Sequence, residues 1–322
     1  MAFVQERKIR GEKYLYLEKS VRIGGSVYKL SRYIGKKAGL PKSRIAEEKK
    51  KFALEIDSRL ARLLADYVKR KYRLGYPLTP EEAQKIEEMN IKYREIKKSL
   101  DKKDWTDVKK RFVANFVFES NALEGNSLTL KNFSDIVFEN KVHGEADFRE
   151  VYDARNSYGV FSKLFTSTRD IDEDFILWLH KSIMKNIDDR RGYKKIPNIL
   201  VGRKLELAKP EDVPAEMKKL IGWYNENSPK MHPLELALKF HHKFERIHPF
   251  ADGNGRVGRM LMDYILIKRG YFPIIIRKTQ RNRYIHALEA ADSGQYVPLI
   301  RFGLEKAKET YRKFFEVYYK YA

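Results

Sequence analysis

Between residues 11 and 36 apolar positions alternate with polar ones. Tyr14, Tyr16, Val21, Ile23, Val27, Leu30, Tyr33 and Ile34 stand among polar neighbours, and Gly24-Gly25 parts two runs. That pattern predicts a β-hairpin with too little apolar mass to stand alone. Gly39 and Pro41 end it, and Ser43 is placed to cap a helix from about Arg44. There Ile45, Phe52, Ile56, Leu60, Leu63, Leu64 and Tyr67 keep a helical rhythm to about residue 73. Thr79-Pro80-Glu81-Glu82 is a capping box with proline at the first helical position, predicting a helix over 80–99. A third helix is expected from near Thr106 to Leu123, and Thr129 can cap a further one. Helical periodicity returns at 147–165, 173–186, 211–227, 233–246, 256–269, 279–292 and 296–320. The exception is Tyr193–Leu207, where Ile196, Ile199, Leu200, Val201 and Leu205 flank Gly202-Arg203 and suit a short hairpin. The chain thus reads as mainly α: a basic β-hairpin unit over 1–40, a helical accessory region over 41–103, and an all-helical domain with one hairpin over 104–322.

With 322 residues, 43% hydrophobic and 34% charged, the chain can bury a sizeable core. It has no cysteine, which excludes disulfides, thiolate metal sites, iron–sulfur clusters and a cysteine nucleophile. No apolar run approaches the ~18 residues of a membrane helix. The start, MAFVQERKIRGEK, is charged within six residues and lacks an apolar core, so no secretory leader is read there and a cytoplasmic setting is expected. Residues 1–103 hold 28 Lys and Arg against 14 Asp and Glu, a net +14 of the chain's +22. Such asymmetry suits a polyanion or nucleic-acid partner. Abundant Lys and Glu with only four Gln suit a thermophile-like surface equally well. No helix-turn-helix, zinc-finger or stacked-aromatic pattern is legible in this region.

Candidate chemistry concentrates in residues 248–259, His-Pro-Phe-Ala-Asp-Gly-Asn-Gly-Arg-Val-Gly-Arg. Gly253-Asn254-Gly255 lets consecutive N–H groups turn towards one anion. The apolar period Val257, Met260, Leu261, Tyr264, Ile265 places that loop on a helix N-terminus. Arg256 and Arg259, three apart, can clamp further phosphate oxygens. Asp252 offers a hard oxygen to Mg²⁺, and His248 titrates where a general base must. Together these parts suit transfer of a phosphoryl-type group from a Mg-nucleotide to a hydroxyl. Neither a P-loop nor a kinase pattern is present. His241 and His242 with His248 do not make a zinc site, because adjacent helical residues diverge by about 100° and no further ligand completes a set. The run Tyr311, Phe314, Phe315, Tyr318, Tyr319 has the spacing of packing residues.

The twelve-residue string resembles the signature of the Fic family, His-Pro-Phe-x-Asp/Glu-Gly-Asn-Gly-Arg-x-x-Arg, at every defined position. The resemblance spans roughly residues 106–310 and implies a Fic-type helical domain that transfers AMP from ATP to a Ser, Thr or Tyr hydroxyl. It implies His248 as the base and Asp252 as the Mg²⁺ ligand. It gives Gly253, Asn254, Gly255, Arg256, Val257, Gly258 and Arg259 to the phosphates. Ser120-Asn121-Ala122-Leu123-Glu124-Gly125 resembles the family's inhibitory motif, in which the glutamate pairs with the second signature arginine, here Arg259. Ser120 and Glu124 are four apart and share one helix face. A motif that precedes the signature implies class II inhibition in cis, by a helix over about 106–124.

Ile199, Leu200, Val201 and Gly202 resemble the flap that pairs with a target segment and covers the nucleotide, a role that suits an edge strand. Residues 270–284 look closest to the animal members of the endoplasmic reticulum. Tyr284 keeps one adenosine-contacting aromatic, whereas Ile285 and Asp292 replace a second aromatic and an asparagine, which leaves base preference open. The expected cofactors are ATP and Mg²⁺. The expected partners are a hydroxyl-bearing protein, a polyanion at the basic amino-terminal region and a second copy in a homodimer, with no membrane. Two alternatives stand beside AMP transfer: removal of AMP by the same site, and a polyanion-binding regulator acting through residues 1–103.

Overall fold

The sheet has three strands where alternation predicts two. In the computed structural model, which describes residues 3–72, 78–142, 147–198 and 205–319, the strands β1 (Phe3–Ile9), β2 (Glu12–Ile23) and β3 (Ser26–Lys36) pair antiparallel in that order. The side chains of residues 53 and 54 are outside that description. Ile23 pairs with Ser26 across Gly24 (φ 55°) and Gly25 (φ 93°), the two-residue turn that the Gly-Gly pair predicts. β1 joins through Arg10 and Gly11, both at positive φ. It is an edge strand whose Val4 and Ile9 stay exposed, so no buried face imposes the alternation that would have betrayed it.

One face of the sheet is apolar. Leu15, Leu17, Leu30 and Ile34 close on Phe52 and Ile56 of α1 (Lys42–Lys71), and Val21 and Ile23 on Leu64 of α1 and Ile91 of α2 (Pro80–Ser99). A register shift at Leu15/Tyr16 turns both Leu15 and Ile34 to this side. α1 begins directly after Pro41, and Ser43 lies inside it rather than capping it. α2 has the predicted capping box, with Thr79 and Glu82 each accepting the other's N–H.

Helix α3 (Lys102–Leu123) starts four residues before the expected Thr106, because Asp101 caps it by accepting from the Asp104 N–H at 2.8 Å. Next come α4 (Leu130–Ser134, capped by Thr129), α5 (Phe148–Leu164), α6 (Glu173–Ile183), α7 (Val213–Asn227) and α8 (Pro233–Ile247). The last are α9 (Asn254–Lys268), α10 (Arg281–Asp292) and α11 (Val297–Tyr311). Beyond Tyr311 a π-type turn over Arg312–Glu316 replaces the expected unbroken helix. Every residue of α9 from Asn254 to Leu266 is buried, so this helix is the axis of the domain, packed by α3, α5, α6 and α8. Val68 of α1 and Ala83, Ile86, Tyr93 and Ile96 of α2 share that core. A buried polar hub adds to it: Glu87 accepts from the hydroxyls of Tyr72 and Tyr271 and faces His232. Of the Tyr193–Leu207 hairpin, Ile199, Leu200, Val201 and Gly202 lie outside the described residues, and the flanks 193–198 and 205–207 carry no strand. No described helix is long and apolar enough to cross a membrane.

Candidate active site

Helix α9 begins at Asn254, three residues before its apolar period opens at Val257, so Asn254 and Gly255 of the glycine-rich loop are already helix. Gly253 precedes it at φ 81°, a left-handed conformation that glycine adopts without strain, and no side chain caps the helix. The first-turn N–H groups are thus open to an anion, with the positive end of the helix dipole behind them. Asn254 turns its own side chain back, accepting from the Phe250 N–H at 2.9 Å and donating to the Phe250 carbonyl at 2.8 Å. It staples the loop.

Asp252 sits at the rim of this cradle. Its Oδ1 accepts from the Gly253 N–H and, at 3.3 Å, from Arg256 Nη2, while Oδ2 pairs with the exposed Arg149 of α5. Arg256 is buried and forms an ion pair with Asp153 of α5. Burial raises the Asp153 carboxyl above its ordinary value, and Arg256 opposes that rise. His180 of α6 stacks flat on Phe250, 3.8 Å between ring centres, and its Nε2 lies 3.1 Å from the Asp252 carbonyl. Burial pushes that imidazole down to about 4, so it is neutral near pH 7. Facing a carbonyl, Nε2 must carry the proton and donate it. His248 follows α8 in a left-handed conformation, φ 50°, a strained position for a residue with a Cβ. Its Nδ1 faces Glu245 at 3.9 Å. A cleft of about 410 Å³ opens beside Asp252, lined by His180, Tyr193 and Lys194 among others.

Arg259 joins α9 to α3. Its Nε donates to Ser120 Oγ at 2.9 Å, and its Nη2 donates to the Ser120 carbonyl at 2.8 Å and to Glu124 Oε1 at 2.7 Å. Glu124 is the last residue of α3's C-terminal turn, and its side chain remains 41% exposed although Arg259 is buried. A Cβ on Gly255 would collide with Glu124 Oε1, so the carboxylate lies directly against the first turn of α9.

The structure therefore gathers Ser120, Glu124, His248 and Asp252–Arg259 around one helix end. It gives some of them different company from that expected. Val257 is fully buried core, and Gly258 lets α8 approach, since a Cβ there would fall 2.6 Å from Glu245 Oε1 and 2.9 Å from His241 Nδ1. Tyr284 is buried with its ring parallel to His241 and its hydroxyl bonded to His241 Nε2. Ile285 packs at the edge of the main core, and Asp292 accepts from His242 Nε2 at 2.9 Å. His241 and His242 thus serve α10, and no metal-holding group of His, Asp and Glu occurs among the described residues. Asp153, Arg149 and His180 were not found from sequence. Their one signal is an acid and a histidine among core-spaced positions of α5 and α6, which does not name a partner 72 to 103 residues away.

Comparison with known proteins agrees with this geometry. The model of the Fic/DOC family matches residues 170–266. Protein adenylyltransferase Fic of Drosophila yakuba is 32% identical over 207 residues, 63% of this chain and 42% of that protein. Its counterpart in Drosophila melanogaster is 31% identical with the same coverage. The chain spans about two fifths of the length of these curated relatives. A Fic-domain signalling protein from Bacteroides thetaiotaomicron superposes with a TM-score of 0.65 at 26% identity, covering 70% of this chain and 95% of that one. Fic-1 from C. elegans shares the fold, with a TM-score of 0.64 at 21% identity and 83% coverage of each chain. The helical body around α9 thus matches the Fic/DOC family over residues 170–266 and is similar in fold to solved Fic domains.

Proposed function

We propose that the chain transfers AMP from ATP to a Ser, Thr or Tyr hydroxyl of a target protein and of itself, and is restrained by its own Glu124. One observation carries the reading: the Glu124–Arg259 pair, set against an uncapped helix N-terminus beside His248. The Drosophila relatives are protein adenylyltransferases, which supports the same chemistry.

The phosphates of ATP suit the first turn of α9, between Arg256 and Arg259. Asp252 suits Mg²⁺, which takes one or two carboxylates together with phosphate oxygens, because its outer oxygen is held only by a solvent-exposed arginine that can swing away. When bound, the ion neutralises phosphate charge. In the transfer itself the target hydroxyl oxygen bonds to the α-phosphorus, the bond to the bridging oxygen breaks and pyrophosphate leaves. His248 takes the hydroxyl proton, with the Glu245 carboxylate facing its Nδ1 at 3.9 Å. Arg259 meanwhile commits Nε and Nη2 to α3, so a γ-phosphate has to displace Glu124 to gain them. Because α3 precedes the signature, the restraint acts in cis, the class II arrangement. Removal of AMP is a second reading favoured by one observation: Glu124 is bonded to Arg259 yet 41% exposed beside the cradle, as a group that holds an attacking water must be.

The test is incorporation of label from α-labelled ATP with Mg²⁺ in cell lysate. Glu124→Gly should raise labelling at least ~10-fold, since each 1.36 kcal/mol of relieved restraint is tenfold. Adding Arg259→Ala should abolish it again. His248→Ala should cut transfer by about 10²–10⁴ while ATP binding survives. Equal labelling by the parent and Glu124→Gly would make α3 a scaffold, and a His248→Ala protein within a few fold of the parent would exclude His248 as the base.

A further inference from the structure

We infer that the outer face of the β-sheet is a binding platform for single-stranded nucleic acid. Strand pairing assembles on that face what the linear sequence scatters. Tyr14 lies opposite Lys36, Tyr16 opposite Tyr33, Arg7 opposite Tyr14, and Ser20 opposite Lys29. Tyr33 is 53% exposed and lies 5.4 Å from Tyr16 and 6.1 Å from Tyr14, tilted by about 54° and 53°. The Arg7 guanidinium sits 4.2 Å over the Tyr16 ring, and Lys36 Nζ lies 5.9 Å from the Tyr14 ring. Three aromatic rings interleaved with three cations form the chemistry that stacks bases and tracks phosphates.

The opposite face is committed to α1 and α2, so this one is what the sheet presents outward. Its charge selects the occupant. Residues 3–40 hold ten Lys and Arg against three Glu, a net of +7. Two of those acids lie on this face and are already engaged: Glu18 with Arg7, Lys29 and Ser31, and Glu12 with Lys36 and Tyr14. Glu18 is buried beneath its partners, so it fixes Arg7 and Lys29 in place and leaves little negative surface of its own. Lys29 and Lys36 bracket Tyr33 on β3. At about 3.3 Å per residue they stand roughly 10–13 Å from it, a span that suits phosphates on either side of a stacked base. A duplex keeps its bases stacked on one another and out of reach of Tyr33, so the single strand is the form that gains from the rings.

The test is fluorescence anisotropy of the full chain with labelled single strands of about twelve nucleotides, a duplex of equal length and heparin, between about 50 and 200 mM salt. The single strand should bind at least ~10-fold more tightly than the duplex, as one stacked base is worth about 1–3 kcal/mol. Tyr33→Ala should weaken it by about 5- to 150-fold, and Tyr33→Phe, which keeps the stacking face, should stay within about 3-fold. Lys36→Ala should lower the logarithmic salt slope by about 0.7. Equal binding of duplex, heparin and single strand with Tyr33→Ala unchanged would overturn the inference in favour of unspecific charge. Binding to anionic vesicles but not to oligonucleotides would overturn it in favour of a membrane surface.

Discussion

The amino end of α9 and the outer face of the sheet both gather cationic side chains, built to opposite rules. Around α9 the Arg256 and Arg259 side chains are 5% and 3% exposed, each fixed by an acid from another helix. On the sheet Lys36 and its partner Glu12 are 56% and 53% exposed. A buried guanidinium cannot exchange its partner for water, so its acid becomes a structural requirement. An exposed cation gives up its partner at little cost, which suits a surface that meets ligands of varied shape. Charge alone does not separate machinery from docking surface. Burial does.

The sharpest way to break that contrast is Asp153→Ala. It leaves Arg256 in the core with only its longer contact to Asp252, and removing one member of a buried pair costs about 3–5 kcal/mol, which chemical denaturation should read directly. A loss below about 1 kcal/mol would mean that water reaches Arg256 and that the two sites obey one rule.

His180 sharpens the comparison through pH. Its folded value of about 4 lies below the ordinary 6.5, so as pH falls between those values the unfolded chain binds a proton that the folded chain refuses. Stability should therefore fall by roughly 3 kcal/mol from pH 6.5 to 4 and take no further contribution from this ring below that. In His180→Gln, which keeps an N–H for the Asp252 carbonyl, that part of the slope should vanish. An identical slope in the two proteins would refute a neutral, buried His180.

The smallest effect is expected on the sheet. Lys36→Ala breaks the exposed pair with Glu12 and the contact with the Tyr14 ring, and should move the thermal midpoint by less than about 2 °C. A larger drop would show that the sheet's cations hold the fold together as those of α9 do.

What the sequence disclosed follows the same division. Residues 248–259 were legible because one contiguous stretch carries the loop, the helix start and both arginines, so spacing alone fixes their relation. Ser120 and Glu124 were legible as one helix face, and α2 by its capping box. Asp153 and His180 were not, because their roles exist only where α5 and α6 pack on α9. β1 escaped because an exposed edge needs no alternation. The tyrosine cluster escaped because Tyr16 and Tyr33 become neighbours only through a register that includes a shift. The loop's glycines were read as freedom to turn towards phosphate. Gly253 takes a positive φ, whereas Gly255 lies within α9 and its bareness makes room for Glu124.

That last feature has a consequence for helix propensity. A glycine inside a helix forgoes about 1 kcal/mol relative to alanine, so selection for stability alone would favour a methyl group at position 255. Here the methyl would stand where the Glu124 carboxylate rests. The substitution that most helices welcome would push Glu124 off Arg259, so a gain in helix propensity and the loss of the Glu124–Arg259 pair are one and the same change at this residue.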